Sequence, residues 1–241
     1  MKAALQDFKS VLIIAWIIVA AIFFGSAVLV VARFTKDGYW PHKIAQAWGR
    51  SILWFSGVEV SVRGLEHLDL HRAVIYMANH QSNFDIPVFL GRLPVQFRWL
   101  AKAELFKIPI FGPGMQRCGY ISIDRSDRKA AFLSLKRAAA AIREGVSVLI
   151  YPEGTRSYDG GIRGFKKGGF VLAVESGVPI VPIVIRGTYP IMPRSSLRVR
   201  PGPVTLEIKP PVDTRPYSRA TKDELLAHIH TIISQGFYQT P

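Results

Sequence analysis

The longest apolar run in the chain comes first: from Val11 to Ala32, VLIIAWIIVAAIFFGSAVLVVA, 22 residues carry no charge. As a helix rising 1.5 Å per residue it would extend about 33 Å, enough to cross a bilayer core of about 30 Å. A cleaved signal peptide has a shorter apolar region, about 7–15 residues before a small-residue cleavage site, whereas this run ends in Val-Ala-Arg-Phe. The pattern predicts a membrane helix over 11–32. The next stretch, PHKIAQAWGRSILWF, places Ile44, Ala47, Trp48, Ile52 and Phe55 on one helical face, with Lys43, Gln46 and Arg50 away from it. An amphipathic helix over 42–56 suits either the lipid headgroup layer or the surface of a domain. Gly38, Tyr39, Trp40 and Pro41 predict a turn before it, so the two helices could also form a hairpin that dips into one leaflet.

After Gly57 the period changes. VEVSV, AVIYMA, FRWLA, GYISI, VSVLIY and PIVPIVI read as strands, most too uniformly apolar to be half-exposed, and helical stretches alternate with them. Ser126 is a candidate cap for one of these helices, which sets Phe132, Leu135, Ala139 and Ile142 along one face before Gly145 stops it. A closing helix takes up the C-terminal segment, and only SYDGGIRG is glycine-rich enough to read as a mobile loop. The expected fold class is α/β: a mixed, largely parallel buried sheet flanked by helices, behind an N-terminal membrane helix or two-helix hairpin. A chain of 241 residues needs only one main domain, so residues 1–57 are assigned to the anchor and 58–241 to the domain.

Charge narrows the partners. With 31 basic and 17 acidic side chains the formal charge is +14, and the protein will seek anions: nucleic acid, anionic lipid or acidic small molecules. The apolar N-terminus points to lipid. A nucleic-acid binder would gather its arginines on one helix or groove, and here they are spread among loops and helices, so no nucleic-acid partner is expected. Lys2 and Lys9 precede the apolar run while Arg33, Lys36, Lys43 and Arg50 follow it, which favours a domain on the cytoplasmic face of the cell membrane. The single cysteine, Cys118, excludes an internal disulfide and a Cys-pair zinc site, in keeping with a reducing compartment.

The candidate chemistry lies in ANHQSNFDIP, Ala78 to Pro87, directly after an apolar strand. Ser82-x-x-Asp85 fits a capping box, in which Asp85 would only receive a backbone N–H at a helix start. Alternatively, His80 is a general base that takes a proton from a hydroxyl near neutral pH, with Asp85 fixing its tautomer and stabilising the imidazolium. No Gly-x-Ser-x-Gly occurs, so the chain offers no nucleophile elbow and the substrate is a candidate source of that hydroxyl; a P-loop and a dinucleotide fingerprint are absent as well.

Four ordered stretches carry a resemblance. NHQSNFD resembles the first motif, Asn-His-x-Ser-x-x-Asp, of the glycerolipid acyltransferases; GYISIDR, YPEGTRS and VPIVPI are similar to the second, third and fourth, with tyrosine where phenylalanine is commoner in the third. The resemblance covers roughly 63–188 and is closest to the members that acylate 1-acylglycerol 3-phosphate. It implies that His80 is the base and Asp85 its orienting partner, and that Arg125, Glu153, Gly154, Thr155 and Arg156 hold the phosphate-bearing end of the acceptor, lysophosphatidic acid. Planar guanidinium forks match phosphate oxygens; Glu153, which phosphate would repel, more naturally orients Arg125, Arg156 or an acceptor hydroxyl. KAEL is also similar to a family stretch and adds Lys102. The donor implied is acyl-CoA or acyl-carrier protein, with no cofactor and no metal. The family implies acyl-chain contact for VPIVPI, although a buried strand punctuated by prolines explains that stretch equally simply. Rival readings are another acceptor, such as glycerol 3-phosphate or another lysolipid, and a non-catalytic membrane-tethered anion-binding protein.

Overall fold

The computed structural model, which describes residues 2–124 and 127–239, begins with two helices, α1 (Lys2–Val31) and α2 (Tyr39–Ser56). α1 starts well before the charge-free run, and its stretch Ala4–Val31 is long and apolar enough to cross a membrane, with few of its side chains buried. The helix is tied to the rest of the chain at its N-terminal end. The Ser10 hydroxyl accepts from Val199 N–H at 3.1 Å, and Asp7 pairs with Arg198. Gly57 stops α2 in a left-handed turn, its N–H reaching back to Leu53 and Trp54 carbonyls.

The buried stripe of α2 differs from the one its hydrophobic pattern predicts. Gln46 and Gly49 lie inside with Ile52 and Leu53, while Phe55 is partly exposed and Trp54 almost fully so. The cause is a close crossing with α3 (Asp85–Arg92): a Cβ on Gly49 would sit 2.7 Å from that of Leu90. At this separation Gln46 also reaches the Val95 carbonyl, donating at 3.1 Å. Polar Gln46 is therefore inside because a backbone acceptor awaits it.

The six expected strands form, as β1 (Val58–Arg63), β2 (Ile75–Ala78), β3 (Arg98–Lys102), β4 (Ile121–Ile123), β5 (Val148–Ile150) and β6 (Ile180–Arg186). A seventh, β7 (Gly202–Ile208), inserts between β1 and β6 and runs antiparallel to β6. The sheet order is β1-β7-β6-β2-β5-β3-β4, and β6, β2, β5, β3 and β4 are mutually parallel, so their C-terminal ends share one edge. Alternate residues of β2 divide the core. Tyr76 and Ala78 pack with Ile52, Phe84 and Phe89 on the α1–α3 side. Ile75 and Met77 pack with Ala138, Ile142, Phe170 and Ile229 from α5 (Arg128–Arg143), α6 (Gly168–Ser176) and α8 (Lys222–Tyr238). Short helices α4 (Phe111–Arg117) and α7 (Thr188–Ile191) complete the fold.

The cap of α5 is Asp127, whose carboxylate accepts from Lys129 N–H; Ser126, the expected cap, lies outside the described residues. Phe132 faces solvent rather than the core, because Ala138, Ala139 and Ile142 define the inner face.

Candidate active site

The catalytic edge is built at the end of β2. Asn79 donates to the Ile185 carbonyl and accepts from the Ile185 N–H, both at 2.8 Å, so its side-chain amide extends the β2–β6 ladder by one rung. The chain then leaves the sheet, and His80 opens a turn closed by Asp85 at the start of α3. One carboxylate oxygen of Asp85 accepts from His80 Nδ1 at 2.7 Å, from Gln81 N–H at 2.7 Å and from Ser82 N–H at 3.0 Å. The bond to Ser82 is half of a capping box. The other half is missing, since the Ser82 hydroxyl donates to the Met192 carbonyl at 2.7 Å and accepts from Phe84 N–H. Capping and orientation therefore coexist in one residue. A proton held on Nδ1 by Asp85 leaves Nε2 as the basic nitrogen.

The third motif leaves β5 beside the dyad. Tyr151 lies flat on the His80 ring, and burial together with the Asp85 charge pushes its hydroxyl pKa up. Glu153, expected to orient Arg125, Arg156 or an acceptor hydroxyl, has two backbone N–H donors as its hydrogen-bond partners among the described residues and is not among those lining the cavity. It is buried, with one oxygen accepting from His80 N–H at 2.7 Å and the other from Arg163 N–H at 3.0 Å. Burial pushes its pKa up to about 7, against the downward pull of those two donors. Its work is to clamp the histidine loop to the glycine-rich loop. That loop, expected to be mobile, is tied down: Ser157 N–H donates to the His80 carbonyl at 2.8 Å, the Ser157 hydroxyl accepts from Gly160 N–H, and Tyr238 accepts from Ile162 N–H.

Gly154, Thr155 and Arg156 line the same cavity as His80. Gly154 takes a φ of 75°, a left-handed turn that glycine adopts without strain. Arg194, which the sequence patterns do not single out, joins them: its Nη1 donates to Thr155 Oγ1 at 2.9 Å and to the Arg156 carbonyl at 3.0 Å, and its guanidinium sits 3.8 Å from the Tyr158 ring centroid. Burial and the Arg194 charge together lower the Arg156 pKa. Two guanidinium groups held this close repel each other until an anion lies between them. The bond from Ser82 to Met192 helps to place Arg194 two residues further on. Lys102 stands at the cavity rim but is mostly exposed and paired with Glu104 at 2.8 Å. Arg125 lies outside the described residues.

Behind this polar mouth lies an apolar cavity of about 880 Å³, walled by Ile14, Ile17, Ala21 and Val28 of α1, Trp48 and Ile52 of α2, and Leu105, Ile108 and Phe111. Part of the wall is strained. Ile110 holds a φ of 63° and packs against Gly25, where a Cβ would meet its Cγ2 at 2.9 Å; such a backbone costs about 1–3 kcal/mol. The fourth motif forms β6, and its residues 178–183 are not among those lining the cavity, which matches the buried-strand reading.

A mixed sheet carrying a histidine–aspartate pair and two arginines at the mouth of an apolar cavity defines the class. The chain belongs to the acyltransferase family, whose family model, described as Acyltransferase, matches residues 59–186. Among individual proteins it is similar to the 1-acyl-sn-glycerol-3-phosphate acyltransferase of Limnanthes alba, 35% identical over 185 residues, 76% of this chain and 65% of the relative. The matched stretch thus spans about two thirds of that plant protein's length. The enzyme of the same name from Salmonella typhimurium is 31% identical over 74% of this chain and 73% of its own. In structure the chain is similar to the 1-acyl-sn-glycerophosphate (LPA) acyltransferase PlsC of Thermotoga maritima, with a TM-score of 0.84, 30% identity and coverage of 98% and 96% of the two chains.

Proposed function

We propose that the protein is a membrane-bound 1-acylglycerol-3-phosphate O-acyltransferase, moving a fatty acyl group from acyl-CoA or acyl-carrier protein to the 2-hydroxyl of lysophosphatidic acid to give phosphatidic acid. The observation that carries this reading is the Asp85-oriented imidazole of His80 beside Arg156 and Arg194 at the mouth of the apolar cavity. Nε2 of His80 takes the proton of the 2-hydroxyl as its oxygen attacks the thioester carbonyl. The C–S bond breaks, and the departing thiolate receives that proton, so ester and free thiol form with no acyl-enzyme. Arg156 and Arg194 grip the phosphate, Lys102 adds positive charge at the rim, and the acyl chain of the acceptor or donor fills the cavity. The thioester is the only co-substrate this chemistry needs.

The names of the similar plant and bacterial proteins favour lysophosphatidic acid as acceptor. In this reading α1 and α2 enter one leaflet of the cell membrane and keep the domain on its cytoplasmic face. The bonds from Asp7 and Ser10 to Arg198 and Val199 favour one-leaflet entry, since both ends of α1 then lie on the domain's side. The deciding experiment is an assay of the purified full chain with radiolabelled acyl-CoA and acyl-carrier protein against lysophosphatidic acid, glycerol 3-phosphate and lysophosphatidylcholine. Rapid acylation of lysophosphatidic acid alone is the expected result; acylation of none would end the proposal.

A further inference from the structure

The 16 residues of α5, RKAAFLSLKRAAAAIR, include five basic side chains and no acidic one. Its inner face is spent on the core, but its outer face exposes Phe132 at 44% and Leu133 at 55% among Lys129, Lys136 and Arg137. Lys136 Nζ stands 4.8 Å above the Phe132 ring. Among the described residues no ion pair engages Lys129, Lys136, Arg137 or Arg143, and the nearby Asp127 carboxylate is occupied as the helix cap. A merely solvated helix would intersperse acids with its bases and would gain nothing from adjacent exposed Phe and Leu. The combination fits an anionic surface that also offers apolar contact.

A bilayer is such a surface, but the fold argues against it. The sheet separates α5 from α1 and α2, so the outer face of α5 points away from the helices that would hold the membrane. A flat bilayer cannot touch both. Nor is a convex helix face a pocket for a nucleotide. Its position matters as well: β4 ends at the edge shared by β2, β3 and β5, and α5 begins five residues after Ile123. Lys129, Phe132 and Leu133 occupy the first turns of the helix, on the side of the molecule where Lys102 ends β3 at the cavity rim.

We propose that the outer face of α5 docks an acidic carrier protein that presents the acyl thioester, its acidic side chains meeting Lys129, Lys136 and Arg137 and its apolar surface covering Phe132 and Leu133. The proposal rests on the acyl-transfer reading above and names the donor's partner surface.

The test uses the full chain in detergent, with lysophosphatidic acid as acceptor and two donors of the same chain, palmitoyl-acyl carrier protein and palmitoyl-CoA. Lys129→Glu/Lys136→Glu/Arg137→Glu should lower kcat/KM for the carrier donor by at least about 10-fold, chiefly through KM, and change the CoA rate by less than about 2-fold. The wild-type carrier rate should fall with added salt more steeply than the CoA rate. Equal losses with both donors, an unchanged carrier rate, or a wild type that uses CoA alone would overturn the docking surface. So would loss of binding to phosphatidylglycerol vesicles with carrier kinetics intact, which would make the face a lipid contact. Should the charge reversal fail to fold, Phe132→Ala/Leu133→Ala, at two exposed positions, must give the same donor-selective loss. Transfer from neither donor by the wild type would instead defeat the acyl-transfer reading.

Discussion

The imidazole of His80 and the ring of Tyr151 lie face to face, centroids 3.9 Å apart and planes 6° from parallel. Contact with a flat ring limits the imidazole to sliding in its own plane, while Asp85 fixes its rotation through Nδ1. The Tyr151 hydroxyl is buried and has no hydrogen-bond partner among the described residues. Tyr151→Phe should therefore keep kcat within about 3-fold and leave stability unchanged or raised by about 1 kcal/mol. Tyr151→Ala should cost about 3–5 kcal/mol and a much larger share of kcat. Thermal unfolding and steady-state rates on both variants check this; a Phe variant as damaged as the Ala variant would mean that the hydroxyl, not the ring, matters.

His80→Ala should lower turnover by about 10²–10⁴-fold with little change in thermal stability, because the ring lines the cavity mouth. Asp85→Asn should lower turnover too, and it should also destabilise the protein, since one oxygen of Asp85 receives two backbone N–H groups besides the imidazole. A direct transfer requires sequential kinetics: parallel double-reciprocal lines or an isolable acyl-protein would sink it.

For the phosphate grip, Arg156→Ala and Arg194→Ala should each raise the acceptor KM, with losses in kcat/KM equivalent to about 2–4 kcal/mol and smaller effects on the donor. Arg194 also holds Thr155 and the Arg156 carbonyl, so the two losses should be non-additive. Lysine at position 156 should recover only part of the activity, since an ammonium cannot match the fork. Equal losses toward phosphate and non-phosphate acceptors would remove both assignments.

Legibility in the sequence followed chain proximity. The strands of the parallel block could be read because burial on both faces leaves runs such as IVPIVI with no polar interruption. β7 escaped because only Val204, Leu206 and Ile208 are buried, behind a Gly-Pro start and with Thr205 and Glu207 between them. His80 and Asp85 are five positions apart, so their bond is local and the motif carries it. Arg194 is brought to Arg156 by a contact between segments 38 positions apart, and one arginine among several in MPRSSLRVR bears no local mark. The acceptor role of Glu153 toward His80 N–H and Arg163 N–H is not legible, because backbone N–H groups leave no trace in a residue pattern.

Glu153 also sets a pH dependence. Its carboxyl titrates near 4.5 when unperturbed and at about 7 in the fold. Between those values the folded state holds more protons than the unfolded one, so stability falls as pH rises through the window, by at most about 3 kcal/mol. Glu153→Gln removes the titration while losing an acceptor. The stability advantage of wild type over the variant should thus shrink from pH 5 to pH 8 in denaturant titrations, and parallel profiles would show that the carboxyl does not titrate there.

Val19 and Phe23 of α1 are exposed at 57% and 67% and do not line the cavity, so they are the part of the helix free to meet lipid. The intact protein should stay in the membrane fraction at 1 M salt, where the Debye length is about 3 Å and purely electrostatic attachment is lost. Val19→Lys/Phe23→Lys puts two charges into hydrocarbon, each costing about 2.5–3.5 kcal/mol at a helix centre, and should shift the protein toward the soluble fraction without altering the cavity wall. Release of the unmodified protein by salt alone would refute the anchor. Whether α1 crosses or only enters can be read from a thiol, because Cys118 is buried and the thiol introduced by Ala4→Cys would be the reactive one. The tie between Asp7 and Arg198 and the bond from Val199 to Ser10 hold that end of α1 to the catalytic domain. Labelling of the introduced thiol in sealed vesicles should therefore come from the side on which the domain lies; labelling from the opposite side would require those contacts to break and α1 to span.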